Sequence, residues 1–153
     1  MAKIELARKE GGVDLSTAED LSLAVMNLVS LEEHFFFTAM KTGKEEYIDT
    51  SAEIRSMRKE LLERLMPAHE GETWCASKHL LAASMRLIEV GNKLHSEGLK
   101  DKAQEMFKKA YRVYSIFWAL KLKLVHVEKV VGKAQDDTQL ESLVSKLADC
   151  CKE

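Results

Sequence analysis

Hydrophobic residues recur at every third or fourth position along most of the chain, which places them on one face of an α-helix. In the first such segment Leu21, Leu28 and Phe35 mark the stripe. The spacing of Ser16 and Glu19 just before it is typical of the box that caps a helix at its amino end. Similar stripes predict helices over residues 16–41, 44–66, 73–97, 101–131 and 138–151.

Short breaks separate these predicted helices. Gly43 and Gly98 fall in the first and third breaks, and the only proline, Pro67, ends the second helix because proline cannot continue a helix interior. Residues 1–15 are ambiguous or extended. Four long amphipathic helices joined by short turns predict a single all-α domain, an up-down-up-down four-helix bundle whose short C-terminal helix covers the end of the fourth.

Composition narrows the classes of protein. The 153 residues are 46% hydrophobic and 31% charged, with a net charge of −2, which suits a folded soluble domain and argues against a nucleic-acid binder. No apolar run is long enough to span a bilayer, and the amino end has no signal-peptide pattern. The odd number of cysteines, with Cys150 beside Cys151, favours a reducing compartment. We therefore expect a cytoplasmic protein.

Two predicted helices carry more apolar surface than one bundle needs. The additional residues on the first and fourth helices are Leu23, Met26, Phe37, Tyr111, Tyr114, Trp118, Leu122 and Val125. Clustered aromatic residues of this kind are typical of a partner face. Because symmetric dimers are the commonest assembly, we expect a homodimer that pairs through these two helices.

The break between the third and fourth helices has a family-like spacing. Its residues are Val90, Gly91, Leu94, Gly98, Ala103, Phe107 and Ala110. Over residues 84–117 this spacing resembles a single tetratricopeptide-type (TPR-like) helical hairpin. The resemblance implies a tight antiparallel hairpin with Phe107 filling the gap between the helices. Leu87 and Leu94 stand where the family has tryptophan and tyrosine, and no proline ends the second helix.

Charged residues also fall on predicted inner faces. Glu32 lies within the stripe of the first helix, and Arg58 and Arg55 lie inward on the second. A charge on a core face must be paired or bind something, since an isolated buried charge is very costly. We predict an interhelical ion pair of Glu32 with Arg55 or Arg58; the alternative is a carboxylate-bridged metal site.

The segment around residues 67–79 concentrates chemically capable side chains. Cys75 and His79 are one helical turn apart, and Glu72 can join them, so the three form a possible zinc or iron site. Cys75 and His79 could also act as a thiol–imidazole pair. Against a metal, Arg86 and Lys93 continue the same face. The pattern favours no metal and no other cofactor.

Arg64 and His69 form a second candidate catalytic pair. Their spacing is similar to that of the arginine and histidine in HEPN domains, a class of helical, RNA-cleaving toxins, although Pro67 interrupts it here. The resemblance implies an RNA-directed nuclease as one alternative function. The other alternative is a small metal-binding helical protein that uses residues 64–79. The leading interpretation is a non-enzymatic, dimeric protein–protein interaction or scaffold module.

Overall fold

A computed structural model of the chain describes residues 15–67 and 72–124. Four α-helices make up these ranges, and no strand occurs in them: α1 Leu15–Thr42, α2 Glu46–Leu65, α3 Glu72–Ser96 and α4 Lys100–Lys121. The prediction of an all-α protein is confirmed. The predicted helix at 138–151 and the ambiguous residues 1–14 lie outside the described part of the chain.

The ends of α1, α2 and α3 follow from residues recognised in the sequence. Gly43 and Gly98 have φ values of 68° and 79°, a left-handed conformation that glycine adopts without steric cost. At the end of α2, Met66 has φ −126° and is no longer helical. Met66 precedes Pro67, and the helical conformation is disfavoured for the residue before a proline. These three helices differ from the predicted boundaries by one or two residues.

The end of α4 corrects the prediction, which extended that helix to residue 131. The amide of Lys123 donates to the Leu120 carbonyl and that of Leu124 to the Ala119 carbonyl, at 3.0 and 2.9 Å. This pair of bonds is the Schellman motif that closes a helix. It requires a left-handed residue, and Lys123 supplies it with φ 55°. The residue type does not predict this helix end, because the position holds lysine instead of glycine.

The helices pack as two hairpins of consecutive helices, α1 with α2 and α3 with α4, and α1 also packs against α3. In the first hairpin, the Phe35 and Tyr47 rings stack with centroids 6.1 Å apart. In the second, Gly91 is buried and a Cβ atom there would overlap the Phe107 ring. The absence of a side chain at Gly91 therefore sets how closely α3 approaches α4.

The core that joins the two hairpins lies at one end of the molecule. It contains residues from the first half of α1, the end of α2, the first half of α3 and the end of α4. Its buried members are Ala18, Val25, Met26, Val29, Leu62, Leu65, Met66, Leu81, Phe117 and Trp118. We call this the core end, and the opposite end, where α1 and α3 finish and α2 and α4 begin, the open end.

None of the helices described by the structure is both long enough and apolar enough for a membrane span.

Candidate interaction surface and candidate sites

The Glu32 carboxylate bridges two arginines of α2. Arg55 Nε donates to its Oε1 at 2.5 Å, and Arg58 Nη2 donates to its Oε2 at 2.9 Å. The structure thus brings together all three residues that the sequence placed on facing helices. Arg58 is buried whereas Arg55 is exposed, so the two ion pairs lie in different surroundings.

Burial and hydrogen bonding act in opposite directions on Glu32. Burial alone would raise the pKa of its carboxyl group, but the hydrogen bonds and charges of Arg55 and Arg58 outweigh burial and hold the pKa below its usual value of 4.5. Glu32 is therefore ionised near neutral pH, and it neutralises a buried guanidinium. This arrangement is an ion pair between helices, and it contains one carboxylate where a bridged metal site needs several.

The candidate metal ligands do not converge. Glu72, Cys75 and His79 are all exposed on α3. Within the described ranges, no group of three or more histidine, cysteine or acidic residues could hold a metal ion. Arg86, on the same face, pairs with Glu33 of α1 at 3.2 Å. This part of α3 therefore contributes to helix packing through Arg86.

The candidate catalytic pair is only half described. Arg64 is exposed in the last turn of α2 and donates from Nη2 to Glu60 Oε1 at 2.7 Å. This contact is an ordinary pair one helical turn apart. His69 lies in residues 68–71, outside the described part of the chain. No contact of Arg64 points to an RNA-cleaving site.

The predicted dimer face needs correction, because half of it is covered within the chain itself. Met26 and Trp118 are buried members of the core, and Tyr114 and Leu122 pack against it. Leu23, Phe37 and Tyr111 are exposed, and Val125 lies outside the described residues. The sequence interpretation assigned one buried stripe to each helix, whereas α1 uses one side for α2 and a second side for the other hairpin.

A hydrogen bond that the sequence pattern did not predict joins α1 to α4. The Ser22 hydroxyl donates to the Glu19 carbonyl at 2.7 Å, so Tyr114 Oη donates the bond to Ser22 Oγ, also at 2.7 Å. Burial raises the pKa of the Tyr114 hydroxyl. A serine within the apolar stripe between Ala18 and Val25 was the signal for this contact. It fixes the first half of α1 on the end of α4.

Lys121 provides a second polar contact between the hairpins. Its Nζ donates to the Leu65 carbonyl at 2.6 Å, where the last carbonyls of α2 lack helical partners and carry a partial negative charge. Burial lowers the pKa of the Lys121 amine. The contact ties α4 to α2 at the core end.

The helix faces that are buried at the core end become exposed to solvent toward the open end. Residues seven positions apart lie on nearly the same side of a helix. On α1, Val29 is 8% exposed and Phe36 is 47% exposed. On α3, Leu81 is 0% exposed and Ile88 is 37% exposed. On α4, Trp118 is 3% exposed and Tyr111 is 38% exposed. The same inward pattern is therefore covered at one end and uncovered at the other.

Phe37 and Met40 extend this uncovered region on α1. They are 56% and 61% exposed, and the Phe36 and Phe37 rings contact each other edge to face with centroids 5.3 Å apart. We call Phe36, Phe37, Met40, Ile88 and Tyr111 together the open face. Exposed large apolar side chains that lie beside one another, as Phe36 and Phe37 do, are typical of interaction sites.

The hairpins differ in charge. Residues 15–65 contain ten acidic and six basic residues, and residues 72–121 contain five acidic and nine basic residues. The first hairpin is therefore net negative by four charges and the second net positive by four. The overall charge of −2 conceals this asymmetry.

Comparisons with models of protein families, with curated proteins and with solved structures found no match.

Proposed function

We propose that this chain is a non-enzymatic protein–protein interaction module that forms a homodimer through the open face. The observation that carries the proposal is the exposure of Phe36, Ile88 and Tyr111, one heptad away from buried residues on the same helix faces. A second copy would extend the core across these residues and remove them from water, at about 25 cal/mol for each Å² of apolar surface buried.

Self-association is favoured over a different partner because the two hairpins carry opposite net charges. Each copy has one acidic and one basic hairpin, and a two-fold dimer uses the same surface on both copies. The up-down-up-down bundle and the cytoplasmic location expected from the sequence belong to the same proposal. The TPR-like resemblance of residues 84–117 is supported by the packing of Gly91 against Phe107.

Sedimentation velocity over a wide concentration range tests this function. We expect wild-type protein to form a dimer and the Phe36→Ser/Met40→Ser variant to stay monomeric, because both changed side chains lie in the open face. Both residues are more than one third exposed, so the helical circular-dichroism signal and the melting temperature of the variant should change little.

The matched control removes equally exposed apolar side chains elsewhere. Leu23 and Met57 are 42% and 51% exposed and lie outside the open face. Leu23→Ser/Met57→Ser should therefore dimerise like wild type. Wild-type protein that sediments as a monomer at the highest concentrations would contradict the proposal. Loss of the dimer in the control variant alone would move the interface to another face.

A further inference from the structure

The charges at the open end are distributed in a way that local structure does not explain. Acidic residues in the first turn of a helix are favoured by the helix dipole, whereas basic residues there are disfavoured. The start of α2 follows this rule with Glu46 and Asp49. The start of α4 follows it less closely, since Lys100 and Lys102 flank Asp101 there and leave the first turn net positive.

These charged side chains have no partner within the described chain. Four of these residues are exposed: Glu45 and Asp49 at the start of α2, Lys100 in the first turn of α4 and Lys108 in its third turn. Each ion pair of the described residues involves other groups, and the single one that joins the two hairpins is Arg86 with Glu33. The acidic and basic ends therefore do not pair with each other across the open end of one molecule.

We propose that in the dimer the acidic hairpin of each copy lies against the basic hairpin of the other, with the start of α2 facing the start of α4. This inference rests on the proposed dimer through the open face and specifies how the second copy is oriented. A two-fold axis could instead place like hairpins together. That arrangement would place the two acidic hairpins, each with a net charge of −4, against each other. It would do the same with the two basic hairpins, each with a net charge of +4.

Opposite charges across an interface fix the orientation of the partners and raise the rate of encounter, whereas opposed like charges are costly. Two such contacts form at once, because the symmetry axis repeats the α2–α4 contact. The apolar open face provides burial, and the charges select between its possible orientations.

A charge-swap experiment with the full chain tests the arrangement. The first variant is Glu45→Lys/Asp49→Lys and the second is Lys100→Glu/Lys108→Glu. Alone, each variant places like charges at both contacts, so its dimer dissociation constant should rise about tenfold or more. Mixed in equal amounts, the two should form a heterodimer whose dissociation constant lies within about threefold of the wild-type value, because both contacts then pair opposite charges.

The control keeps the change in net charge but moves it to the far end of the same helix. Glu60→Lys/Glu63→Lys changes the charge of α2 by the same amount near the core end, and it should weaken the dimer less than about threefold. Melting temperatures of all variants show whether each one is folded before its association is measured.

The outcomes separate this inference from the proposed function. A wild-type dimer that is lost in Phe36→Ser/Met40→Ser but unaffected by either charge variant would leave the interface in place and overturn the orientation. Weakening by both charge variants without recovery in the mixture would also overturn it. A wild-type monomer would overturn the proposed function and this inference together.

Discussion

The two ion pairs of Glu32 differ in what surrounds them. The Arg58 side chain is 5% exposed and the Arg55 side chain 58%, so only Arg58 depends on Glu32 to neutralise its charge away from water. Removing one partner of a buried pair leaves an uncompensated charge and typically costs 3–5 kcal/mol. An exposed pair contributes 1 kcal/mol or less. The Glu32–Arg58 pair therefore holds α1 and α2 in one register.

This asymmetry predicts the effect of Glu32→Gln. The substitution should lower the free energy of unfolding by about 3 kcal/mol at pH 7, because Arg58 stays buried without a counter-charge. Glu60→Gln should lower it by less than about 0.5 kcal/mol, since the Glu60–Arg64 pair is exposed. Urea unfolding measures both values, and an equal effect of the two substitutions would contradict the argument.

The lowered pKa of Glu32 gives the same prediction a pH dependence. The unfolded chain binds a proton more readily than the folded one, so the contribution of Glu32 is fully present above pH 4.5 and is lost as pH falls through the folded pKa. The difference between wild type and Glu32→Gln should narrow over that acid range. A constant difference from pH 7 to pH 3 would show that the carboxylate charge is not responsible.

The sequence favoured the ion pair at this site because an inward carboxylate opposite two inward arginines is most simply neutralised by pairing with them. It was insufficient for Ser22 and Tyr114. Serine is small enough to pass as a neutral member of an apolar stripe, and its hydrogen bond to Tyr114 depends on how the two hairpins are oriented. Contacts within a hairpin were therefore predictable, whereas contacts between hairpins were not.

The ends of the helices show which sequence signals act on the neighbouring backbone alone. Gly43, Gly98 and Pro67 act through the backbone conformation of one or two residues, so three helix ends could be read from the sequence. At the end of α4, the apolar spacing continues to Val127 and Val131, although the chain turns at Lys123. The left-handed conformation costs energy in lysine, and a lysine at position 123 does not indicate that the helix ends there.

The close contact of α3 with α4 at Gly91 predicts that a larger residue there destabilises the protein. In an exposed helix, changing glycine to alanine stabilises the fold by about 1 kcal/mol. At Gly91 the new methyl group would overlap the Phe107 ring, whose Cδ1 and Cζ atoms lie 2.7 and 3.0 Å from the Cβ position and whose Cε1 atom lies closer still. We expect Gly91→Ala to destabilise the protein by about 1–3 kcal/mol, as measured by thermal or urea unfolding.

A second substitution distinguishes overlap from other effects. Phe107→Leu replaces the ring with a smaller side chain, so Gly91→Ala should cost at least about 1 kcal/mol less in that background than in wild type. Additive effects in this double-mutant cycle would contradict the proposed overlap. Gly91→Ala with wild-type stability would show that the Phe107 ring moves aside freely.

For the whole molecule, the decisive feature is that the shared core occupies one end only. Each hairpin has its own internal contacts along its length, such as Phe35 with Tyr47 and Gly91 with Phe107. Within residues 15–67 and 72–124, the buried apolar residues that the hairpins share lie near Val25, Leu62, Leu81 and Phe117. Helical periodicity predicts which side of a helix is inward. It does not tell how far along the helix a neighbour covers that side, so the open face could not be predicted.

Because the shared core covers the helices at the core end, we expect their amides to be better protected from hydrogen exchange there than at the open end. Amides at the core end should exchange only through global unfolding, whereas those near Phe36, Ile88 and Tyr111 should also exchange through local opening at lower free energy. If a second copy covers the open face, protection there should rise as the protein concentration passes the dimer dissociation constant. In the Phe36→Ser/Met40→Ser variant, protection of the open end should be low and independent of concentration. Equal protection along all four helices at every concentration would mean that the open face is neither a weak point of the fold nor an interface.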